Sequence, residues 1–270
     1  MHTQNKRSTR GADVARDKRT KTRAPMTRVQ KQLNAVLAVL LLVAVVFLGT
    51  SGYMYVNGKA QAKAASAEAD AVLENRLIES DVTAESSGPT MLDMWKAKET
   101  FEKTGLKKGE AIGKLIIPKM KAELPIVEGV DPADLLKGVG HDHDTLLPLD
   151  NGQTVLSGHR DTVFKGIGVL EVGDTLTVSL PYGDFDYRIT KTYIVDAKDR
   201  TVIVPHDSEI LTVTTCYPFN FVGDAPDRYI INAEPMFDMQ LLRAELAADE
   251  AYQAILGDDT NDVTEANDTP

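Results

Sequence analysis

The sequence predicts an all-β fold, a barrel of short strands that follows a single apolar helix. Three observations carry this. From Ala111 to Glu234 the chain is a series of short β-branched segments punctuated by Gly and Pro. The run from Leu33 to Val56 contains no charged residue. Between the two, residues 57–109 are rich in Ala, Glu and Lys, a composition that favours helix.

The chain has 270 residues and a net charge of −10, but the placement of charge says more than its sum. Residues 1–32 hold ten Lys/Arg against two acids, Asp13 and Asp17, whereas the chain after Val56 holds 38 acids against 20 bases. The uncharged run between them, with its core AVLAVLLLVAVVFLG, is long enough as a helix to cross a hydrocarbon layer of roughly 30 Å. The basic flank predicts a cytoplasmic N-terminus. A cleaved signal peptide begins the same way, but its apolar core runs only about 7–15 residues. This run is longer and Ser51-Gly52-Tyr53 is a poor cleavage site, so the reading is a membrane anchor in contact with lipid. A basic tail also suits nucleic acid; the adjoining span accounts for it without a nucleic-acid partner.

After the span, ASAEADAVLENRLIE reads as helix, SSGP at 86–89 as a break and LDMWKAKETFEK as a second helix. Together they suggest a stalk, with Trp95 free to dock on the domain beyond. AIGKLIIP and ELPIVEG read as strands, and DPADLLKG as a short helix with Asp131 as N-cap and Pro132 at its first position. TVLSGH is a strand ending at His159. TLTVSL, PYGD and FDYRITKTYIV form a hairpin, LTVTT ends at Cys216, and RYIINAE opens at Arg228. Seven or eight such strands with few helices point to a closed or nearly closed barrel. From Glu245 the chain has eight acids and no Lys or Arg, too little apolar surface for a core, and is expected to be disordered.

Cys216 is the only cysteine, so no internal disulfide can form. A lone thiol in an exported domain is either an inert core residue or one kept for its reactivity. His159, Cys216 and Arg228 all stand at strand ends, and neighbouring strand ends of a barrel share one rim. The thiolate is the attacking species, imidazole hands a proton to a leaving amine, and a guanidinium stabilises an oxyanion. Singly, each residue also fits a bland role on a surface or in a core.

The segments around these residues, LSGHRDTVF at 156–164 and LTVTTCYPFNFVGDAPDRYII at 211–231, closely resemble the sortases. The order His, Cys, Arg, with Arg twelve residues after Cys, matches that family. The likeness extends through KLIIPKMKAELPIVEGVDPADLLKGVGH at 114–141, and CYPFNFVGDAPDRYI is most like the class D sortases. The resemblance implies the eight-stranded sortase barrel and a catalytic set of His159, Cys216 and Arg228. It implies cleavage of a Leu-Pro-x-Thr-type signal at the C-terminus of surface proteins. A thioester on Cys216 would then pass to an amine of the peptidoglycan precursor, without cofactor or metal. In sortases the stretch corresponding to 197–210 lines the signal pocket. Val202, Val204, Pro205 and Ile210 are therefore candidate substrate contacts, although they suit core packing nearly as well. Thr215, beside the nucleophile, is a candidate for orienting the substrate backbone or an ordinary strand threonine.

The segment HDHD at 141–144 offers two His and two Asp, but adjacent residues lack the spacing that gathers ligands on one ion. Resemblance makes His141 part of a loop near the site, and His206 reads as a surface residue. The organisation expected is a cytoplasmic tail 1–32, a transmembrane helix 33–56, an extracellular helical stalk 57–109, the catalytic barrel 110–236, and a C-terminal helix with an acidic tail 237–270. Two other readings are a pilin-polymerising sortase, which the acidic, span-free tail disfavours, and a non-catalytic tethered module.

Overall fold

The computed structural model describes residues 27–76, 89–104, 106–221 and 223–262. Most of the basic tail, the start of the SSGP break and the final eight residues lie outside these. The chain divides into two units, Met1–Tyr53 and Met54–Pro270.

The described part of the first unit belongs to helix α1, Arg28–Glu74. Thr27 and Gln30 start it as a reciprocal cap: Gln30 N–H donates to Thr27 Oγ1 (3.3 Å) and Thr27 N–H to Gln30 Oε1 (3.1 Å). The side chains from Leu33 to Leu48 are exposed. Among the described residues this is the one helix long and apolar enough to cross a membrane.

The second unit is a closed eight-stranded barrel. Its strands are β1 (Ala111–Ile117), β2 (Ala122–Glu128), β3 (Val139–His141), β4 (Gln153–Gly158), β5 (Thr175–Leu180), β6 (Gly183–Asp196), β7 (Ile210–Tyr217) and β8 (Asp227–Pro235). Around the barrel they run β1-β2-β3-β4-β7-β8-β6-β5. Pairing is antiparallel except for β2 with β3 and β4 with β7, which are parallel. The one-turn helix α2 makes the β2–β3 crossover over Pro132–Leu135, with Asp131 as its N-cap. The first half of β6 shows why a barrel forms: Phe185, Tyr187 and Ile189 are buried while Asp184, Asp186 and Arg188 face out, a strict period of two. Leu115, Ile117, Leu156, Val178, Leu211 and Val213 join them in one core.

The segment read as a stalk is helical over 57–74 and 91–103, and parts of it lie against the barrel. Ala65 and Ala69 of α1 are buried. Glu68 accepts from the Ala111 N–H, Asp70 pairs with Lys114, and Arg76 reaches Asp184 at 2.8 Å. Helix α3, Met91–Lys103, begins with a Thr90–Asp93 capping box. Met91, Met94, Trp95 and Phe101 pack on the core, so Trp95 does dock on the domain. Lys98 is also buried, and its ammonium is paired with Asp150 (2.6 Å) and Glu102 (2.7 Å), which a buried charge requires.

The sequence predicts a C-terminal helix within 237–270, but it runs further than expected. Instead of disorder from Glu245, helix α4 runs Met239–Asp262. Leu242 is buried and Leu246 packs on the core. Glu245 accepts the Leu92 N–H at 2.9 Å, and Asp249 pairs with Lys96 at 3.0 Å. The two acids serve the N-terminal half of α3, whose free N–H groups and positive dipole end favour carboxylates.

One buried acid gives the fold a pH dependence. Glu209 is 3% exposed and holds the start of β7. It accepts from the Tyr187 hydroxyl (2.7 Å) and the Asn151 N–H (3.0 Å). Burial pushes its carboxyl up from 4.5 to about 7, against the pull of those hydrogen bonds. Between these values the unfolded chain binds fewer protons than the folded one, so stability falls as pH rises through the interval. The size implied is about 3 kcal/mol. In urea titrations, Glu209→Gln should match the wild type at pH 4 and exceed it by a few kcal/mol at pH 8. Equal stability at pH 8 would count against a neutral Glu209 in the fold.

Candidate active site

Strands β4, β7 and β8 are consecutive in the barrel. In the parallel β4–β7 pair Gly158 stands opposite Thr215, so the next residues, His159 and Cys216, leave the pair at the same level. In the antiparallel β7–β8 pair Cys216 stands directly opposite Arg228. With strands about 4.8 Å apart, three residues far apart in sequence share one rim in the order His, Cys, Arg. Cys216 is not at the end of its strand as the sequence suggested: Tyr217 continues the pairing opposite Asp227.

Alternation fixes which way each side chain points. Leu211 and Val213 face the core and Thr215 follows them, so Thr212, Thr214 and Cys216 lie on the outer face. Cys216 is half-buried. Thr215 is 3% exposed and its hydroxyl donates to Gly158 O at 2.7 Å. It therefore ties β7 to the end of β4, one residue before His159. Gly158 carries no side chain because the Phe164 ring lies over it; a Cβ there would meet that ring at 2.5 Å. The His159 carbonyl accepts the Phe164 N–H at 3.0 Å, which turns the chain sharply after the histidine.

Arg228 is half-buried, and its Nη1 donates to Asp227 O (2.9 Å) and Ala225 O (3.3 Å). Its Nε and Nη2 make no hydrogen bond to the described residues. Arg160, which sequence reasoning passed over, donates from Nη2 to Phe221 O (2.6 Å) and Gly223 O (3.1 Å). It thereby ties the β7–β8 connection to the His159 end of β4. Tyr217, Phe219 and Tyr229 pack edge-on and stacked at 5.2–6.4 Å beside these strand ends.

The other candidate residues divide. Val204 and Pro205 line a cleft of about 440 Å³ with Leu146, Gln153, Ile203 and His206. Val202 turns its carbonyl to Gln153 and Ile210 begins β7, and neither lines that cleft. Gln153, which lines the cleft and donates to Thr212 Oγ1, puts this cleft on the outer face that carries Cys216.

His141 lies in strand β3 rather than in a loop. Its Nδ1 is 2.8 Å from Glu128 Oε2, and His143 Nδ1 is 2.8 Å from Glu128 Oε1. Burial pushes the Glu128 carboxyl up, but hydrogen bonds and charge from the two histidines outweigh it and hold its pKa below the ordinary 4.5. This carboxylate is a brace between β2 and β3. Among the described residues no group of three or more His, Cys, Asp or Glu is arranged to hold a metal.

Comparison with known proteins identifies the family. The sortase-domain family profile matches residues 115–236. Sortase D of Bacillus subtilis (strain 168) is 56% identical over 140 residues, covering 52% of this chain and 69% of that protein. Sortase A of Bacillus anthracis is 25% identical over 130 residues, covering 47% and 60%. Among solved structures, the catalytic domain of Bacillus anthracis SrtD is 42% identical with a TM-score of 0.43, covering 57% of this chain and 97% of that one. A Clostridium perfringens sortase D5 transpeptidase is 24% identical with a TM-score of 0.49, covering 63% and 99%. The family profile and the identity to a sortase D, on a closed eight-stranded barrel, define the class, a transpeptidase. The chain belongs to the sortase family.

Proposed function

We propose that this sortase is anchored in the membrane by residues 33–56 with its N-terminus inside and its barrel outside. There it cleaves Leu-Pro-x-Thr-type signals on surface proteins and joins them to a cell-wall amine. The observation that carries the reading is the register that sets His159, Cys216 and Arg228 side by side. The Cys216 thiolate attacks the Thr carbonyl, and the Arg228 donors stabilise the oxyanion that forms. His159 protonates the leaving amine, and the carbonyl remains on Cys216 as a thioester. A second amine then attacks, gives its proton to His159 and leaves with the peptide as an amide. An extended segment whose Thr lies at Cys216 reaches about 10–13 Å along the outer face, towards Val204 and Pro205. This direction supports those two residues as contacts for its Leu-Pro part. Thr215 supports the site through its bond to Gly158 rather than by touching substrate.

The test uses the purified full chain in detergent with a Leu-Pro-x-Thr-Gly peptide. Mass spectrometry should find the N-terminal fragment bound to Cys216. Addition of a peptidoglycan-type amine should convert released acid into amide-linked product, because a held amine outcompetes water. If no adduct forms with any peptide of this class, the signal assignment is wrong. If an adduct forms and only acid ever appears, the transfer step is wrong.

A further inference from the structure

We infer that Gln153 is a positioning residue that holds the loop between β6 and β7 in its substrate-ready form. The proposal rests on the reading of the cleft beneath that loop as the signal site. Gln153 opens β4, and it is 5% exposed although its side chain lies on the barrel's outer face. The loop covers it. Its amide nitrogen donates to Val202 O (2.9 Å) and to Thr212 Oγ1 (2.8 Å), and its amide oxygen accepts the Val204 N–H (3.1 Å). Both donors and one acceptor site of the amide are thus in use, a geometry that only Asn or Gln supplies from one side chain.

The loop depends on that amide. Among the described residues, the backbone of 202–206 has two hydrogen bonds to the barrel, and both go to Gln153. The next tethers come at Asp207, whose carbonyl accepts from Asn151 Nδ2 at 3.1 Å, at Glu209, whose carboxyl accepts the Asn151 N–H and the Tyr187 hydroxyl, and at Ile210, whose N–H donates to Gly152 O at 2.9 Å. Residues 151–153 therefore form a clamp, with Gln153 its end nearest the cleft. Thr212, itself fully buried, fixes the amide from below. Val204 and Pro205 owe their place on the cleft wall to this clamp. A loop already ordered spares the substrate the entropy of ordering it. The benefit of Gln153 is therefore expected in substrate binding rather than in the chemical step.

The test compares Gln153→Ala and Gln153→Met, the second of which keeps the side-chain volume and removes all three hydrogen bonds. Two readouts are taken on the full chain: cleavage by trypsin after Arg200, an exposed loop residue, and kinetics with a Leu-Pro-x-Thr-Gly peptide. Where the binding-competent loop becomes a minor form, KM rises by the same factor, here about tenfold, with kcat within about twofold. Tryptic cleavage should accelerate at least as much, because the open loop passes from a minor form to the major one. Unchanged cleavage in both variants overturns the clamp. Faster cleavage with unchanged KM shows that the loop does not serve the signal, which overturns the positioning role and the cleft reading together. An equal fall in kcat and kcat/KM with a lowered melting temperature assigns Gln153 a purely structural part and also overturns the proposal. Should the wild type not turn over this peptide, the signal assignment fails, while the tryptic readout still decides whether Gln153 orders the loop.

Discussion

Cys216→Ala is expected to abolish both thioester formation and peptide cleavage, with a loss of about 10⁶ in rate, the scale seen when the nucleophile of a coupled catalytic set is removed. His159→Ala should cost about 10²–10⁴, the usual contribution of a positioned general acid or base. The structure separates these losses from unfolding. Cys216 is half-buried on the outer face of β7, where Ala fits the strand and leaves no core cavity. His159 serves the fold through its backbone carbonyl, which holds the Phe164 N–H; its ring makes no hydrogen bond to the described residues. Both variants should therefore melt within a few degrees of the wild type. In the proposed mechanism the two residues act in one sequence of steps, so the double variant should be no slower than Cys216→Ala alone. Peptide cleavage followed by chromatography, with calorimetry on the same samples, decides the matter. Cleavage by Cys216→Ala within tenfold of the wild type would remove the thioester from the mechanism.

The strands legible in the sequence were those long enough to alternate. The β5–β6 hairpin could be read because Phe185, Tyr187 and Ile189 keep a period of two against Asp184, Asp186 and Arg188. Strand β3 could not, since three residues, Val139 to His141, hold no full repeat, and the pairing with β2 exists only once α2 has brought it round. The rim carrying His159, Cys216 and Arg228 was legible because each residue adjoins a readable strand end. Its neighbour relations were not, because the parallel β4–β7 contact is fixed by barrel closure. Gln153 was missed for a related reason. A polar residue at the start of a strand reads as solvent-facing, and only the loop folded over it makes it buried. Glu245 and Asp249 read as part of an acidic tail, since composition carries no trace of α3, to which they bind. Helix propensity counts Ala, Leu and Glu as favourable whether or not a partner is near, so the α4 helix was half visible and its docking was not.

Arg228→Lys is expected to lower turnover by about 10²–10³, the typical cost of losing one oxyanion donor. The positive charge survives this change, so a role confined to attracting a thiolate or an anionic peptide predicts a much smaller effect. What is lost is the planar fork. In the wild type Nη1 is held by the Asp227 and Ala225 carbonyl oxygens, which fixes the plane of the guanidinium opposite Cys216. Nε and Nη2 make no hydrogen bond to the described residues, and the proposed mechanism gives them to the oxyanion. A lysine ammonium is a compact point charge on a flexible stem, and it cannot hold the two carbonyls and the oxyanion in that fixed geometry. An interaction made only in the transition state lowers kcat and kcat/KM by the same factor, whereas one made equally with bound substrate raises KM and spares kcat. Steady-state kinetics of Arg228→Lys should show the first pattern, with Cys216 still alkylated by a small thiol reagent at close to the wild-type rate. Turnover within about threefold of the wild type, or a loss confined to KM, would take Arg228 out of the oxyanion site and leave it as an anchor for the β7–β8 connection.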